Sequence, residues 1–272
     1  MSTRRAIFFC LRFCFVLGAW CGASLCARAG EAVTVSKRML PLPGGAVSAD
    51  VFEPVARGRC PVVLVLHGAG GVLLDGPEMR RVARHLAEEG NAVYLLHYFE
   101  GTGTLFAFDS SMQRNFRTWL QTVDDSIRAI QEIRGDSSPI GIYGYSLGGF
   151  LALSAASDNS RVGAVVEHAG GVWNGKVEGI GKMPAVLMMH GERDARVPFA
   201  QYAKPLVPVL QRRAAAVEMK FFPGEGHVFT ATAMLNVRAA AARVFREHLR
   251  SRAVADSAQG GPAPNSKRLR GF

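Results

Sequence analysis

The chain has 272 residues, of which 49% are hydrophobic and 20% are charged, a composition typical of a globular protein. Its mean hydropathy of +0.11 excludes disorder along the whole chain, because such a sequence carries enough apolar side chains to form a core. The length allows one large domain or two small ones. The formal net charge of +10 comes partly from the two ends of the chain, which are therefore interpreted separately.

Residues 1–29 are predicted to form a secretory signal peptide. Two arginines near the initiator methionine precede an apolar run, and Ala27-Arg28-Ala29 supplies small residues at a cleavage site. The alternative is an uncleaved membrane anchor, but Arg12 leaves only Phe13 to Cys26 uninterrupted, which is shorter than the roughly 20 residues of a spanning helix. Only Cys60 lies outside this segment, so no internal disulfide is expected. We expect a secreted or periplasmic protein with no stable membrane span after cleavage.

Residues 251–272 are predicted to form a disordered basic tail, because they are rich in Gly, Pro, Ala and Ser and show no periodicity. The run Lys267-Arg268-Leu269-Arg270 could contact an anionic surface or nucleic acid, but so few charges on a flexible end are usually just solvated. We therefore expect no nucleic-acid partner. Residues 30–250 remain, and without an internal repeat or linker they are predicted to form one domain.

The central region alternates apolar runs of strand length with longer amphipathic segments, which predicts an α/β fold with a mainly parallel central sheet and helices on both faces. The continuous apolar run from Val62 to Leu66 is typical of a strand buried on both faces. The turn-rich segment 41–45 indicates an antiparallel hairpin at the sheet edge. Predicted strands are 33–39, 47–52, 61–66, 92–97, 140–143, 162–167, 185–190 and 217–221, and predicted helices are 78–89, 115–134, 147–157, 199–213 and 230–250.

A G-x-S-x-G motif, Gly144-Tyr145-Ser146-Leu147-Gly148, stands between a predicted strand and a predicted helix. A sharp turn at the serine needs neighbours without side chains on either side, because Cβ atoms there would collide. The motif therefore predicts that Ser146 is exposed at the carboxyl end of the sheet as a nucleophile.

A serine nucleophile needs a base, and the base needs an orienting acid. Asp194 follows the predicted strand 185–190, and His227 lies in a Gly-rich loop before the last predicted helix. The order Ser146, Asp194, His227 is typical of the α/β-hydrolase architecture. Glu167 and Glu192 are alternative acids, but the motif around Asp194 favours that residue.

An oxyanion hole requires free backbone N–H groups aimed at one point. The loop His67-Gly68-Ala69-Gly70-Gly71 follows a buried strand, and we predict that the N–H of Ala69, with Gly70 as the alternate, acts with the N–H of Leu147. The chain has no G-x-G-x-x-G and no G-K-[ST], so neither a dinucleotide nor a phosphate loop is indicated. Its seven histidines are scattered, and we expect no metal and no cofactor.

Four ordered motifs together resemble the dienelactone hydrolase family of α/β hydrolases. The resemblance implies an α/β-hydrolase fold, a triad at Ser146, His227 and Asp194, and hydrolysis of esters or lactones without a cofactor. Dienelactone hydrolases proper use a cysteine nucleophile paired with a glutamate near the oxyanion loop. This chain has Ser146 and no acid between His67 and Leu74, so the dienelactone substrate does not follow. The motifs are the loop 67–71 and the segments 144–149, 190–198 and 223–229.

Substrate-binding candidates come from loops at the carboxyl ends of predicted strands. The aromatic, Gly-rich segment 98–108 is expected to overhang the site, with the alternative that it packs on its own aromatic rings. The connection between Glu167 and Pro184 is too short for a large lid, which predicts an open site. The candidate substrate-binding residues are Tyr98, Phe99, Tyr145 and His168.

The sequence thus predicts a secreted serine hydrolase that cleaves a small-molecule carboxylic ester or lactone through an acyl-enzyme on Ser146. An acyltransferase using the same triad is one alternative. The other is a non-catalytic binding protein on a hydrolase fold, since a fold alone does not specify activity.

Overall fold

A computed structural model describes residues 32–55 and 58–259, with side chains described as far as Leu249. The predicted signal peptide and the last part of the predicted tail, residues 260–272, lie outside the described residues.

Eight strands form a single sheet in the order β1-β2-β4-β3-β5-β6-β7-β8. All eight predicted strands are present, most of them one or more residues longer than predicted. The strands are β1 Val33–Leu42, β2 Gly45–Pro54, β3 Val62–Leu66, β4 Ala92–Leu96, β5 Ile140–Tyr145, β6 Val162–His168, β7 Met183–Gly191 and β8 Ala214–Phe222.

The strands β1 and β2 pair in antiparallel fashion at the sheet edge, as the turn-rich connection predicts. The strand β2 also runs antiparallel to β4, whereas the pairs from β4 through β8 are all parallel. Parallel strands place their carboxyl ends along one edge, so the loops after β3, β5, β6, β7 and β8 meet there.

The helices lie on both faces of the sheet, and the five predicted helices are all present. The last helix continues to Gln259, so the first part of the segment predicted to be disordered is helical. Residues 251–259 include good helix formers such as Ala, Arg and Gln, and the first glycine of the tail comes only at Gly260. The helices are α1 Gly71–Leu74, α2 Gly76–Glu88, α3 Asp109–Arg134, α4 Leu147–Ala156, α5 Phe199–Arg213 and α6 Ala231–Gln259.

Each face of the sheet has its own hydrophobic core. Side chains of α3, α4 and α5, such as Trp119, Leu151 and Leu206, are buried against one face. Side chains of α2 and α6, such as Leu86 and Phe245, are buried against the other. The two cores hold the central parallel strands rigidly and fix the loops at their carboxyl ends.

The connection between β6 and β7 contains only two short 3₁₀ turns, Trp173–Gly175 and Val177–Gly179. It forms no helical lid, as the sequence predicts. None of the helices in the described part of the chain is long and apolar enough to cross a membrane.

Candidate active site

Ser146 stands at the sharp turn between β5 and α4 with φ 53° and ψ −118°, a backbone conformation that non-glycine residues rarely adopt. A Cβ on Gly144 would lie 2.1 Å from the carbonyl oxygen of Gly148, and a Cβ on Gly148 would lie 2.4 Å from that of Leu66. The two glycines of the motif are therefore required by close backbone approach. The turn pins the serine at the carboxyl end of the central strand.

Ser146, His227 and Asp194 form one chain of hydrogen-bonded side chains. His227 Nε2 lies 2.9 Å from Ser146 Oγ, and His227 Nδ1 lies 2.7 Å from Asp194 Oδ2. These distances are within hydrogen-bonding range for a base that takes the serine proton. Three residues separated by 33 and 81 positions are thus brought together from three loops, as their order in the sequence predicts.

The Asp194 carboxylate is buried and fully engaged. Its Oδ1 accepts the backbone N–H groups of Arg196 at 2.8 Å and Val197 at 2.7 Å, which leaves Oδ2 to accept the His227 Nδ1–H. His190 braces the same loop, because its Nε2 lies 2.8 Å from the carbonyl oxygen of Val197.

The alternative acids do not occupy the position of Asp194. Glu192 is exposed to solvent. Glu167 is wholly buried below the turn at Ser146, where its Oε1 accepts the N–H of Gly170. Burial raises the pKa of Glu167 to about 8, repulsion from Asp194 adds to the increase, and the Gly170 N–H opposes it.

Two residues with unpaired backbone N–H groups border the cavity beside Ser146. Ala69 and Leu147 both line it, and their N–H groups have no acceptor among the described residues. Ala69 and Leu147 are the two residues whose N–H groups the sequence predicts as oxyanion donors. The alternate prediction, that Gly70 supplies the donor, is wrong, because the Gly70 N–H already donates to Asp75 Oδ2 at 3.0 Å.

Asp75 is a residue that the sequence analysis missed. It follows α1, immediately beyond the stretch 67–74 that has no acid, and its side chain turns back to the oxyanion loop instead of capping α2. Burial raises the pKa of Asp75, while the backbone of Gly70 and Gly68 and the nearby His227 partly oppose that rise. A carboxylate therefore does contact this loop, although it comes from a position with no recognisable motif.

The cavity beside Ser146 has a volume of about 230 Å³ and aromatic walls. The Trp173 ring stacks on Phe116 with centroids 4.1 Å apart and lies edge-on to Phe150 at 6.0 Å. Tyr202 packs edge-on against Phe150 at 5.6 Å. At the cavity rim, the exposed Arg196 and Asp109 form an ion pair at 2.6 Å. We call this the aromatic cavity; its lining residues are Ala69, Asp109, Met112, Gln113, Ser146, Leu147, Phe150, Trp173, Asn174, Arg196, Val197 and Tyr202.

The predicted substrate-binding residues lie elsewhere. Tyr98 and Phe99 are buried, so the expectation that they overhang the substrate is wrong. The Tyr98 ring stacks on His67 with centroids 4.2 Å apart, and its hydroxyl donates to the His67 carbonyl oxygen at 2.8 Å. Phe99 packs on Trp119 at 4.5 Å. These contacts give the phenol a hydrogen-bond partner and hold the oxyanion loop from its buried side. Tyr98 and Phe99 thus follow the alternative interpretation of their segment, in which it packs on aromatic rings.

Tyr145 and His168 line a different cavity, which shares no lining residue with the aromatic one. The Tyr145 hydroxyl donates to the His227 carbonyl oxygen at 3.2 Å, and His168 Nδ1 lies 2.8 Å from the Tyr143 hydroxyl. Burial lowers the pKa of His168 to about 3, with smaller contributions from His227 and His190. The imidazole of His168 is therefore neutral over the physiological pH range.

Within residues 32–55 and 58–259, no group of three His, Cys, Asp or Glu side chains is placed to hold a metal ion. A larger cavity of about 540 Å³ lies at the opposite end of the sheet, next to Cys60, Gln131 and Pro139. It contains none of the predicted site residues.

A mainly parallel eight-stranded sheet with a serine on the turn after its central strand, and with Asp and His on the loops after later strands, defines an α/β hydrolase. A sequence model of the dienelactone hydrolase family matches residues 47–250. The chain therefore belongs to the dienelactone hydrolase family of hydrolases.

Individual relatives are distant in sequence. A Yersinia pestis protein named "Putative carboxymethylenebutenolidase" is 24% identical over 215 residues, which cover 71% of this chain and 77% of that protein. The Klebsiella pneumoniae structure titled "Putative Dienelactone Hydrolase" superposes with a TM-score of 0.68 at 19% identity, covering 80% of this chain and 100% of that one. The structure of a dienelactone hydrolase-like promiscuous phosphotriesterase from metagenomic libraries superposes with a TM-score of 0.64 at 20% identity, covering 79% of this chain and 98% of that one. The structural likenesses show the shared fold.

Proposed function

We propose that this protein hydrolyses carboxylic esters or lactones through an acyl-enzyme on Ser146. The observation that carries the proposal is the hydrogen-bonded chain from Ser146 Oγ through His227 to Asp194, beside a cavity that the two predicted oxyanion donors border. A binding protein on the same fold would have no need of a serine held in a strained conformation within 2.9 Å of an imidazole.

In the first half of the reaction, His227 Nε2 takes the proton of Ser146 Oγ as the oxygen attacks the substrate carbonyl carbon. The carbonyl oxygen becomes an oxyanion, which accepts hydrogen bonds from the N–H groups of Ala69 and Leu147. The tetrahedral intermediate then collapses, the ester C–O bond breaks, and the leaving alcohol takes the proton from His227. Ser146 now carries the acyl group.

In the second half, water attacks the acyl carbon and gives its proton to His227. The second tetrahedral intermediate releases the carboxylic acid, and Ser146 Oγ recovers the proton. Throughout, the Asp194 carboxylate holds the imidazole with Nδ1–H directed at itself and stabilises the positive charge that forms on His227. In a lactone the leaving alcohol stays attached to the acyl group, so the product is a hydroxy acid.

Steady-state hydrolysis of short-chain esters and simple lactones, followed by acid release, tests the proposal. We expect the Ser146→Ala variant to lower kcat by on the order of 10⁶, as in other serine hydrolases. An Asp194→Asn variant, which leaves the loop hydrogen bonds largely in place, is expected to lower kcat by about 10⁴ through the wrong imidazole tautomer. Residual activity above about a tenth in Ser146→Ala would contradict the assignment of the nucleophile.

We further propose that the protein is exported, with residues 1–29 removed. The support is the basic start, apolar run and Ala27-Arg28-Ala29 of the sequence. The test is to express the full chain in a bacterial host, fractionate the cells and determine the amino terminus of the protein. A periplasmic or extracellular product beginning near Gly30 is expected, whereas a cytoplasmic product that keeps residues 1–29 would refute export.

A further inference from the structure

A second cavity, of about 440 Å³, shares no lining residue with the aromatic cavity. Tyr145, directly before the serine, and Val228, directly after the histidine, both line it. The Tyr145 ring lies 5.5 Å from the His227 ring, so the cavity adjoins the base as well as the nucleophile. Because Leu147, directly after the serine, lines the aromatic cavity and Tyr145 lines this one, the two cavities flank the nucleophile turn, and we call the turn with the adjoining oxyanion loop the ridge. We call the second one the aliphatic cavity.

The oxyanion loop is a thin part of this ridge. A Cβ on Gly68 would lie 3.1 Å from Ser146 Cβ, 3.2 Å from Tyr145 Cδ1 and 2.7 Å from Asp75 Oδ2. A side chain at Gly68 would displace the Asp75 carboxyl and crowd the nucleophile turn, so the oxyanion loop lies against both Ser146 and Asp75, a lining residue of the aliphatic cavity. A substrate whose carbonyl carbon sits on Ser146 can extend one group to each side of the ridge.

Most side chains that line the aliphatic cavity are apolar, although Asp75, Glu78, Arg81 and His168 also line it. At the rim, Leu74 is 67% exposed and Val228 is 80% exposed, so both side chains present apolar surface to solvent beside the cavity. Phe229 and Met234 are buried below them, and the Phe229 ring lies edge-on to the His168 ring at 4.5 Å. Bare water against such a surface is unfavourable, and an apolar ligand group would displace it.

Several polar groups of the aliphatic cavity are already partnered, but His168 Nε2 is buried with no hydrogen-bond partner among the described residues. Glu78 forms ion pairs with Arg81 at 2.8 Å and with Arg238 at 2.6 Å. Asp75 accepts the Gly70 N–H, and the Tyr145 hydroxyl donates to the His227 carbonyl oxygen. The His168 imidazole is uncharged. Glu78 and Arg81 are paired with each other, whereas Asp75 has no cationic partner among the described residues, so it is the apolar part of the wall that favours an uncharged aliphatic group.

We propose that the aliphatic cavity is a substrate subsite, which binds an alkyl group on the opposite side of the scissile ester from the group held in the aromatic cavity. The inference rests on the proposed function and narrows it: the preferred substrate is an open ester with two substantial arms, one of them aliphatic and uncharged. The aliphatic cavity has nearly twice the volume of the aromatic one, so the alkyl arm is the larger of the two.

The test compares two series of esters by kcat/KM. One series lengthens the acyl chain from acetate to octanoate with a fixed alcohol, and the other lengthens the alcohol with a fixed acyl group. Burying a methylene contributes about 0.8 kcal/mol, so we expect kcat/KM to rise about 3- to 4-fold for each methylene in one of the series. A flat or falling response in both series would overturn the proposal.

Two variants then locate the effect. Ala231→Phe places a ring at an exposed lining position at the start of α6, and Val228→Ser removes an apolar rim side chain. The chain-length gain is the ratio of kcat/KM for the longest ester to kcat/KM for the acetate, measured in the same protein. Each variant is expected to reduce this gain at least 3-fold. The matched control is Leu235→Ser, because Leu235 is 61% exposed but does not line the cavity, and its gain should equal that of the wild type.

The outcomes separate this proposal from the function on which it rests. If short esters are cleaved in a Ser146-dependent way but the gain is unchanged by Ala231→Phe and Val228→Ser, the subsite is wrong and the hydrolase stands. If no ester in either series is cleaved, the proposed function is refuted, and the subsite proposal that rests on it is refuted as well. If light scattering shows that the wild type dimerises and Val228→Ser is monomeric with an unchanged gain, the apolar rim is a contact between copies and the subsite is refuted.

Discussion

Asp75 Oδ2 accepts the backbone N–H of Gly70 at 3.0 Å, so a half-buried carboxyl holds the loop that carries the oxyanion donor Ala69. Gly70 and Asp75 are five residues apart, and no sequence motif links them. The hydrogen bond removes Gly70 from the set of free donors and leaves Ala69 facing the cavity. Asp75 is therefore a positioning residue, which acts on the reaction through the loop.

We predict that Asp75→Ala lowers kcat about 10-fold with little change in KM, because an untethered Ala69 N–H stabilises the oxyanion less well in the transition state. Asp75→Asn should keep most of the activity, since the amide oxygen can accept the same N–H. The measurement is kcat and KM for one short ester in the three proteins. Equal losses in the Asn and Ala variants would show that the charge, not the hydrogen bond, matters.

The glycines of the nucleophile turn give a prediction about stability. A Cβ on Gly144 would meet the Gly148 carbonyl oxygen at 2.1 Å, and backbone cannot move aside as a flexible side chain can. We expect Gly144→Ala to lower the free energy of unfolding by about 3 kcal/mol and to abolish activity. Urea unfolding measures the first effect. Gly101→Ala is the matched control, because a Cβ at Gly101 has nothing within 4 Å, and it should be close to neutral.

Glu167 makes stability depend on pH. Its pKa is raised from the ordinary 4.5 to about 8 in the folded protein, so the folded state keeps a proton that the unfolded chain loses. The contribution of this group is fully present below about pH 4.5 and is lost as pH rises to about 8. Between these pH values, the free energy of unfolding of the wild type should fall by up to about 1.4 kcal/mol per pH unit relative to that of Glu167→Gln, which cannot ionise.

Urea unfolding of the wild type and Glu167→Gln at several pH values between 5 and about 8 checks this expectation. The exposed Glu192→Gln serves as the control and should follow the wild type at every pH. A constant difference between the wild type and Glu167→Gln over the whole range would mean that Glu167 ionises normally in the folded state.

Trp173 provides a test of the aromatic cavity. Its ring forms one wall, stacked on Phe116, and lies in the short connection between β6 and β7. We expect Trp173→Ala to raise KM about 10-fold for an ester with an aryl group on the side of this cavity, with a smaller effect on an ester of small alkyl groups. The exposed Phe106, which is outside the cavity lining, offers Phe106→Ala as the control. Equal effects of the two substitutions would argue against the assignment of this wall.

The strands and the order of the site residues were predictable because their signals are local. An apolar run such as Val62 to Leu66 indicates a buried strand by itself. The glycines around Ser146 indicate a tight turn, in which the backbone approaches too closely to leave room for a Cβ. The positions of Asp194 and His227 followed from the strands before them. Each of these predictions depends on a few neighbouring residues and on the shared edge of a parallel sheet.

The walls of the cavities were not predictable in the same way. Phe150, Trp173 and Tyr202 come from three separate elements and show no common spacing, so nothing in the sequence brings them together. Tyr98 looked like a substrate contact because it follows a strand. In the folded chain its ring stacks on His67 and its hydroxyl finds the His67 carbonyl oxygen, so it faces inward. Hydrogen-bond partners of this kind are set by tertiary packing.

The central claim is that His227 activates Ser146 as a nucleophile, and covalent labelling tests it most directly. The purified protein is incubated with a fluorophosphonate, and the adduct is counted by intact mass and located by peptide mapping, beside Ser146→Ala and His227→Gln. We predict one adduct per chain on Ser146, none on Ser146→Ala, and labelling of His227→Gln slowed by on the order of 10³-fold or more. A folded wild-type protein that stays unlabelled, or that is labelled at another residue, would contradict the account.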